Sequence, residues 1–358
     1  MRTSVGSAIG AAVTLGAQVR HVGQQFVEAQ TPSTRRLGDD ASKETDAQER
    51  RAAVATRIKW FGVACAVGTA FFLSGNNTAL AVYYADGGSV PAMMAMRYAF
   101  YCVVVGLVCQ SAGHSLRLAA GEPVQTIIVG IVFAGALLAL LTSYTLIPVP
   151  LAVLTLSTFP ILTTLINAVL ERTWPGAVFT ACLAVALIGL AVALEVGALP
   201  HDPLGIACAG LAAVGMAVTF VLSDRWFAHM PPSVASFHIS MPGLVITTLI
   251  YCGYLLVANT GGGREFVVGL PTFGSPGSYA ILLSLAYYTI AILLMFRAIQ
   301  MIGGPSTSMV MNLEPIFTLA MVIIFLSAPF KLVHLIGALI VVAAVVLAQF
   351  VRQASQRG

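Results

Sequence analysis

The sequence predicts an all-α integral membrane protein: ten transmembrane helices arranged as two inverted five-helix repeats. Three observations predict it. Hydrophobic residues make up 58% of the chain and charged ones 9%, with a mean hydropathy of +0.91. A soluble domain carries about a quarter charged residues, so this chain lacks the material for a water-facing surface. From Trp60 onward the apolar residues fall into segments of about 20, each long enough to cross ~30 Å of hydrocarbon as a helix. Finally, landmarks recur in order. Pro150, Pro160, Ile161 and Thr163 reappear with the same spacing as Pro305, Pro315, Ile316 and Thr318. Gly62-Val63-Ala64-Cys65-Ala66 returns as Gly205-Ile206-Ala207-Cys208-Ala209. An odd number of crossings per copy places the second copy upside down relative to the first, the plan of secondary transporters with a site near the bilayer midplane.

The spans are read at about 60–84, 89–110, 124–145, 150–170, 175–195, 203–224, 233–258, 279–301, 305–326 and 330–351. No alternating strand pattern competes, and backbone in lipid must close its hydrogen bonds within a helix or a barrel. The fourth and ninth spans contain Pro160 and Pro315. A proline cannot donate to the carbonyl four residues earlier, so Leu156 and Met311 keep free acceptors and both helices are expected to break at matching depths. In the fifth span, Gly189 and Ala193 form a small-xxx-small face suited to close helix contact.

Flanking charge orients the bundle. Arg50, Arg51, Arg57 and Lys59 precede the first span; Arg117, Arg172, Arg225 and Arg297 lie on the same side; Arg352 and Arg357 follow the tenth. Only Arg264 and Lys331 fall opposite. The positive-inside rule puts both termini in the cytoplasm, in a plasma or inner membrane. The net charge of +4 reflects this bias and makes no case for nucleic-acid binding. The expected domains are a disordered cytoplasmic tail over 1–55, five-helix repeats over 56–200 and 201–352, and a cytoplasmic tail over 353–358. The acid-free stretch Met1–Val27 is also compatible with a targeting segment or a mis-assigned start.

Cysteines 65, 102, 109, 182, 208 and 252 all fall within spans, and none has metal-ligand spacing, so no disulfide, metal or cofactor is expected. The sequon Asn76-Asn77-Thr78 lies inside the first span, and His114, His201, His229 and His334 sit near helix ends, with His238 alone. No catalytic set is apparent.

Chemistry therefore rests on polar residues within the spans. A charge at the bilayer centre costs at least about 2.5–3.5 kcal/mol, so it must face protein or water. Glu314, near mid-depth in the ninth span, is the candidate for substrate contact and proton coupling; the alternative is a carboxylate fixed structurally by a neighbouring helix. Arg97 lies in the outer third of the membrane, where substrate contact and snorkelling both fit; Arg297 lies near the inner end, where snorkelling is favoured. Asn76 and Asn77 are adjacent, so only one is expected to line a cavity. Tyr144, Thr158, Tyr287, Tyr288, Thr307 and Asn312 complete the cavity candidates, each with helix-to-helix hydrogen bonding as the alternative role.

At these residues the chain resembles a known family. Ser74-Gly75-Asn76 followed by Pro91 and Arg97, then Phe159-Pro160-Ile161 and Glu171-Arg172, then Asn312-Leu313-Glu314-Pro315-Ile316-Phe317 and Gly337-Ala338, are similar to the motifs of the drug/metabolite transporter superfamily, in its ten-helix EamA-like branch. The resemblance covers about residues 60–351. Two positions depart from its pattern: Leu326-Ser327-Ala328 stands where an acidic residue is usual, and Leu73 where tryptophan is common. The resemblance implies a cavity between two five-helix halves, open alternately to each side, that moves small metabolites, often outward. Only Arg97 and Arg297 are basic within the spans, which disfavours phosphorylated substrates. The expected function is a secondary transporter, not an enzyme, exporting a small neutral, zwitterionic or weakly cationic metabolite. Its partners are that substrate and the bilayer, with oligomeric state left open. A polytopic membrane enzyme and a channel or scramblase remain as alternatives.

Overall fold

The computed structural model describes residues 39–118, 121–172, 176–193, 202–259 and 270–326, together with 333, 336–337, 339–340, 343–344 and 347. The tails expected before residue 39 and over 353–358 lie outside the described residues, as do His201, Arg264, Lys331, His334, Arg352 and most of the tenth span. The chain divides into two units, residues 1–57 and 58–358.

Every described element is helical. In order they are α1 (Asp39–Ala85), α2 (Val90–Ser111), α3 (Glu122–Leu146), α4 (Val149–Leu156), α5 (Phe159–Glu171), α6 (Ala177–Ala193), α7 (Pro203–Trp226), α8 (Pro232–Asn259), α9 (Pro276–Ile302), α10 (Gly304–Met311) and α11 (Glu314–Leu326). Among the described residues, seven helices are long and apolar enough to cross a membrane, counting α10 and α11 as one span. Phe159–Glu171 and Thr180–Gly189 are shorter apolar helices. Large apolar side chains such as Val103, Leu211, Leu249 and Leu282 point outward, more than 60% exposed, as a surface solvated by lipid requires. The chain is an integral, multi-pass membrane protein.

α1 begins at Asp39, inside the segment expected to be tail. From Asp39 to Phe61 the sequence holds neither glycine nor proline and is rich in Ala, Glu, Gln, Lys and Arg, the strong helix formers. Its first two residues are acidic, favourable at a helix N-terminus.

The recurring prolines acquire a local explanation. α4 and α10 are each 8 residues long, α5 and α11 each 13. All four start with a residue followed by proline: Val149-Pro150, Phe159-Pro160, Gly304-Pro305 and Glu314-Pro315. Proline is tolerated in the first turn because the N–H it lacks has no intrahelical partner there. The fourth and ninth spans are therefore interrupted at Ser157-Thr158 and Asn312-Leu313, as the prolines predict.

α3 is the central helix, packing most extensively on α7 and α8, while α2 packs on α8. Small residues permit this closeness. A Cβ on Gly215 would stand 2.7 Å from the Ala136 side chain, and one on Gly130 would strike the Ile239 carbonyl and Pro242. Gly189, singled out for close contact, abuts Gly337 and Ile340. Gly130→Val is expected to lower stability by about 1–3 kcal/mol through overpacking. Gly135→Ala, with nothing within 4 Å, is expected to be neutral. Thermal unfolding of the two variants in detergent measures the contrast.

Candidate functional site

The polar residues of four helices meet in one buried network. α1 supplies Asn76 and Asn77, α2 Arg97, α3 Tyr144, and α9 Ser284 and Tyr288; Glu314 enters from the break between α10 and α11. Their burial is nearly complete: Arg97 is 1% exposed, Asn76 and Asn77 3%, Glu314 4%. The Asn77 amide donates to Glu314 Oε1 at 2.8 Å, and the Tyr144 hydroxyl donates to Asn77 Oδ1 at 3.1 Å. Asn76 donates to the same Asn77 Oδ1 at 3.3 Å. On its other side Asn76 Oδ1 accepts from Arg97 Nη2 at 3.0 Å and from Ser284 Oγ at 2.8 Å. The Arg97 guanidinium lies over the Tyr288 ring, 4.4 Å from its centroid, within range for a cation–π contact.

Two asparagines thus separate a buried cation from a buried acid. Among the described residues no ion pair joins Arg97 to Glu314; Arg97 meets an amide oxygen and a hydroxyl, and the Glu314 carboxyl meets the Asn77 amide. Arg97 Nε has no hydrogen-bond partner among the described residues. The network borders an enclosed cavity of about 30 Å³. The remaining wall is aliphatic and aromatic, including Leu73, Phe133, Leu137 and Phe159. Space of this size holds about two waters, far below the roughly 300 Å³ or more of a typical ligand pocket. This conformation is closed around its polar groups.

The helix break presents the acid. Pro315 lies in the first turn of α11, so Glu314 heads a new helix whose N-terminus favours negative charge. The Ser74 hydroxyl donates to the Glu314 carbonyl at 2.7 Å and ties the break to α1.

Some of the sequence candidates line the cavity and others lie away from it. Asn76 and Asn77 both line the cavity, a correction to the expectation of one. Arg97 does not snorkel; it is sequestered. Tyr288 lines the cavity, whereas Tyr287 turns away and packs on Phe72, ring centroids 5.6 Å apart, and against Gly75. Thr158 and Thr307 satisfy their hydroxyls on Thr155 and Gly303 carbonyls and are not among the cavity-lining residues. Asn312 is buried in the break with neither side-chain polar atom bonded among the described residues, and it too is absent from the lining. Arg297 is half-buried, its guanidinium 5.8 Å from the Phe61 ring. Ser284 was missed; its one signal is its place four residues before Tyr288, on the same helix face.

Polar contacts tie the bundle at both ends. At the end holding the α1–α2 turn, Asp86 accepts from the Ser275 hydroxyl and from the Gly277 N–H at 3.0 Å, capping α9 from another segment. At the opposite end Arg225 reaches Glu171 at 3.1 Å, joining α7 to α5, and His229 Nε2 stands 2.7 Å from Glu122 Oε1. Arg225 and Glu171 are 35% and 57% exposed, so Glu171→Gln is expected to cost only about 0.2–1 kcal/mol. Asp86→Ala, which strips a helix cap, is expected to cost about 0.5–2 kcal/mol. Unfolding midpoints of the two variants rank them.

Residues 203–350 match the model of the EamA-like transporter family. The match spans less than half of the chain. The match supports membership of the drug/metabolite transporter superfamily; it takes in the motif around Glu314, and Arg97 lies outside it. EamA-like proteins are membrane transporters, not enzymes. No curated protein matches the chain. Among solved structures 29 chains match. One, described only as a crystal structure of a protein, superposes with a TM-score of 0.61 at 18% identity. That alignment covers 84% of this chain and 98% of the other, and it speaks for the fold alone.

Proposed function

We propose that the chain is a secondary active transporter that exports a small neutral, zwitterionic or weakly cationic metabolite by alternating access. The observation that carries this reading is the closed chamber in which Arg97 and Glu314 face one another across Asn76 and Asn77. An enclosed site with one positive and one negative anchor suits a small molecule with complementary ends, and the apolar wall suits an aliphatic or aromatic body. The sites are Asn76, Asn77, Arg97, Tyr144, Tyr288 and Glu314, with Ser284 added. Glu314 serves as the proton-coupling group: as a carboxylate it accepts from Asn77, and as a carboxylic acid it has a proton to give.

Residues 56–200 and 201–352 form the two inverted halves. The equal lengths of α4 and α10, and of α5 and α11, support that pairing, as do the four X-Pro starts. Broken helices at corresponding positions of two halves mark transporter sites. Basic residues beside the ends at Arg117, Arg172 and Arg225 support cytoplasmic termini in a plasma or inner membrane.

Purified protein in sealed liposomes tests the reading. Counterflow of a labelled metabolite, driven only by unlabelled metabolite inside, is expected from a panel of small zwitterions and neutral solutes. Leakage of the whole panel without saturation points to a channel and overturns it.

A further inference from the structure

Beyond the closed chamber lies a second space that the transport reading leaves without a role. It is an open pocket of about 400 Å³, walled by Ala81, Tyr84, Gly88, Tyr144, Ile147 and Pro148 among others. It sits at the end of the bundle where α1 and α3 finish, the end capped by Asp86. Tyr144 stands between the two: it lines the open pocket and is not among the chamber-lining residues, but it bonds one of them. Its ring is part of the open pocket's wall, and its hydroxyl donates to Asn77, which lines the chamber and holds Glu314.

We propose that Tyr144 is the latch between the two, its hydroxyl bond to Asn77 holding the chamber shut against the open pocket. The inference rests on the transporter reading above. Phe133, Leu137, Leu140 and Leu141 line the chamber, and Tyr144 follows on the same α3 stripe at helical spacing. Only the last residue of that stripe carries a polar group. Tyr144 is 6% exposed, and its hydroxyl reaches from α3 to Asn77 of α1. The α3–α4 connection beside it, Ile147-Pro148, is short, so the Tyr144 end of α3 is free to move only with α4. A ligand that donates to Asn77 Oδ1 competes for the acceptor Tyr144 uses and releases the ring. The latch thereby couples the occupancy of the chamber to its opening toward this end. Tyr84 supplies a built-in contrast: it borders the same pocket, and its hydroxyl bonds nothing among the described residues.

Leu137→Cys, two turns below Tyr144 on the chamber wall, serves as reporter. A membrane-impermeant thiol reagent is added to one side or the other of sealed vesicles, with the Leu137-bearing protein as the blank for the native cysteines. Tyr144→Phe keeps the ring and removes the bond. It is expected to raise the labelling rate about fivefold, the factor corresponding to one hydrogen bond of ~1 kcal/mol, and from one side only. Tyr84→Phe is expected to leave the rate unchanged, and Tyr144→Ala to raise it at least as far as Tyr144→Phe. If Tyr144→Ala does not fold, Tyr144→Phe decides alone. An unchanged rate in Tyr144→Phe, or a rise from both sides, overturns the latch. Failure of the transporter reading appears separately, as absent counterflow in the unmodified protein, and leaves the labelling result standing.

Discussion

Glu314→Gln is expected to abolish accumulation driven by a pH gradient while counterflow persists, weakened by the loss of the negative anchor. The amide is isosteric with the acid, and the Asn77 amide, now 2.8 Å from Glu314 Oε1, can donate to the Gln oxygen just as well. The fold and the shape of the chamber are therefore retained, and what is removed is the exchangeable proton together with the carboxylate's negative charge. One pH unit represents about 1.4 kcal/mol, or roughly tenfold accumulation per proton carried. The variant is expected to equilibrate its substrate instead of concentrating it. Measuring the internal-to-external ratio in liposomes with an imposed gradient checks this. A Gln variant that still concentrates substrate tenfold rules out Glu314 as the coupling group. Glu314→Ala is a harsher change, because it leaves the Asn77 donor buried without its acceptor at about 1–3 kcal/mol, and it is expected to lose stability as well as transport.

The features legible in the sequence are those with strong local physics. A carboxylate and a guanidinium deep in apolar helices are so costly that their mere presence marks Glu314 and Arg97. Pro150, Pro160, Pro305 and Pro315 announce four half-helix starts because proline fits a first turn and little else in a helix. Selection between neighbours was not legible. Tyr287 and Tyr288 are adjacent on one helix, about 100° apart, and nothing local says which faces inward; Gly75 on α1 decides it by making room for Tyr287. Asn76 and Asn77 show the opposite failure. Their angular separation argues for one lining residue, but the chamber wraps around α1, with α2 and α9 meeting Asn76 while α3 and the α10–α11 break meet Asn77. Thr158 and Thr307 look available from composition, yet threonine in a helix readily bonds a carbonyl three or four residues back, and both do so. Ser284 escaped notice because one small hydroxyl in an apolar helix is ordinary.

Replacing Arg97 with methionine is expected to separate function from stability. The guanidinium is 1% exposed and is held by Asn76 Oδ1, Ser284 Oγ at 3.4 Å and the Tyr288 ring, with no carboxylate bonded to it among the described residues. A charge buried on dipoles alone is a cost to the fold, and an apolar side chain of similar volume removes that cost. Asn76 Oδ1 keeps its bond from Ser284 at 2.8 Å, so no acceptor is orphaned by the change. Arg97→Met is therefore expected to unfold at the same temperature or higher, by up to about 1 kcal/mol of added stability on the pattern of other buried charges replaced by apolar residues. Transport is expected to move the other way. Losing a buried charged hydrogen bond to substrate costs about 2–5 kcal/mol, a fall of roughly 30-fold or more in apparent affinity. Arg97→Lys keeps the charge but gives up the planar fork and its stacking on Tyr288, and is expected to fall between the two. Thermal midpoints and counterflow rates on the same preparations decide the matter. If both fall together in Arg97→Met, the guanidinium is a strut between α1, α2 and α9, and the anchor for the substrate's acidic or polar end must be sought elsewhere in the chamber.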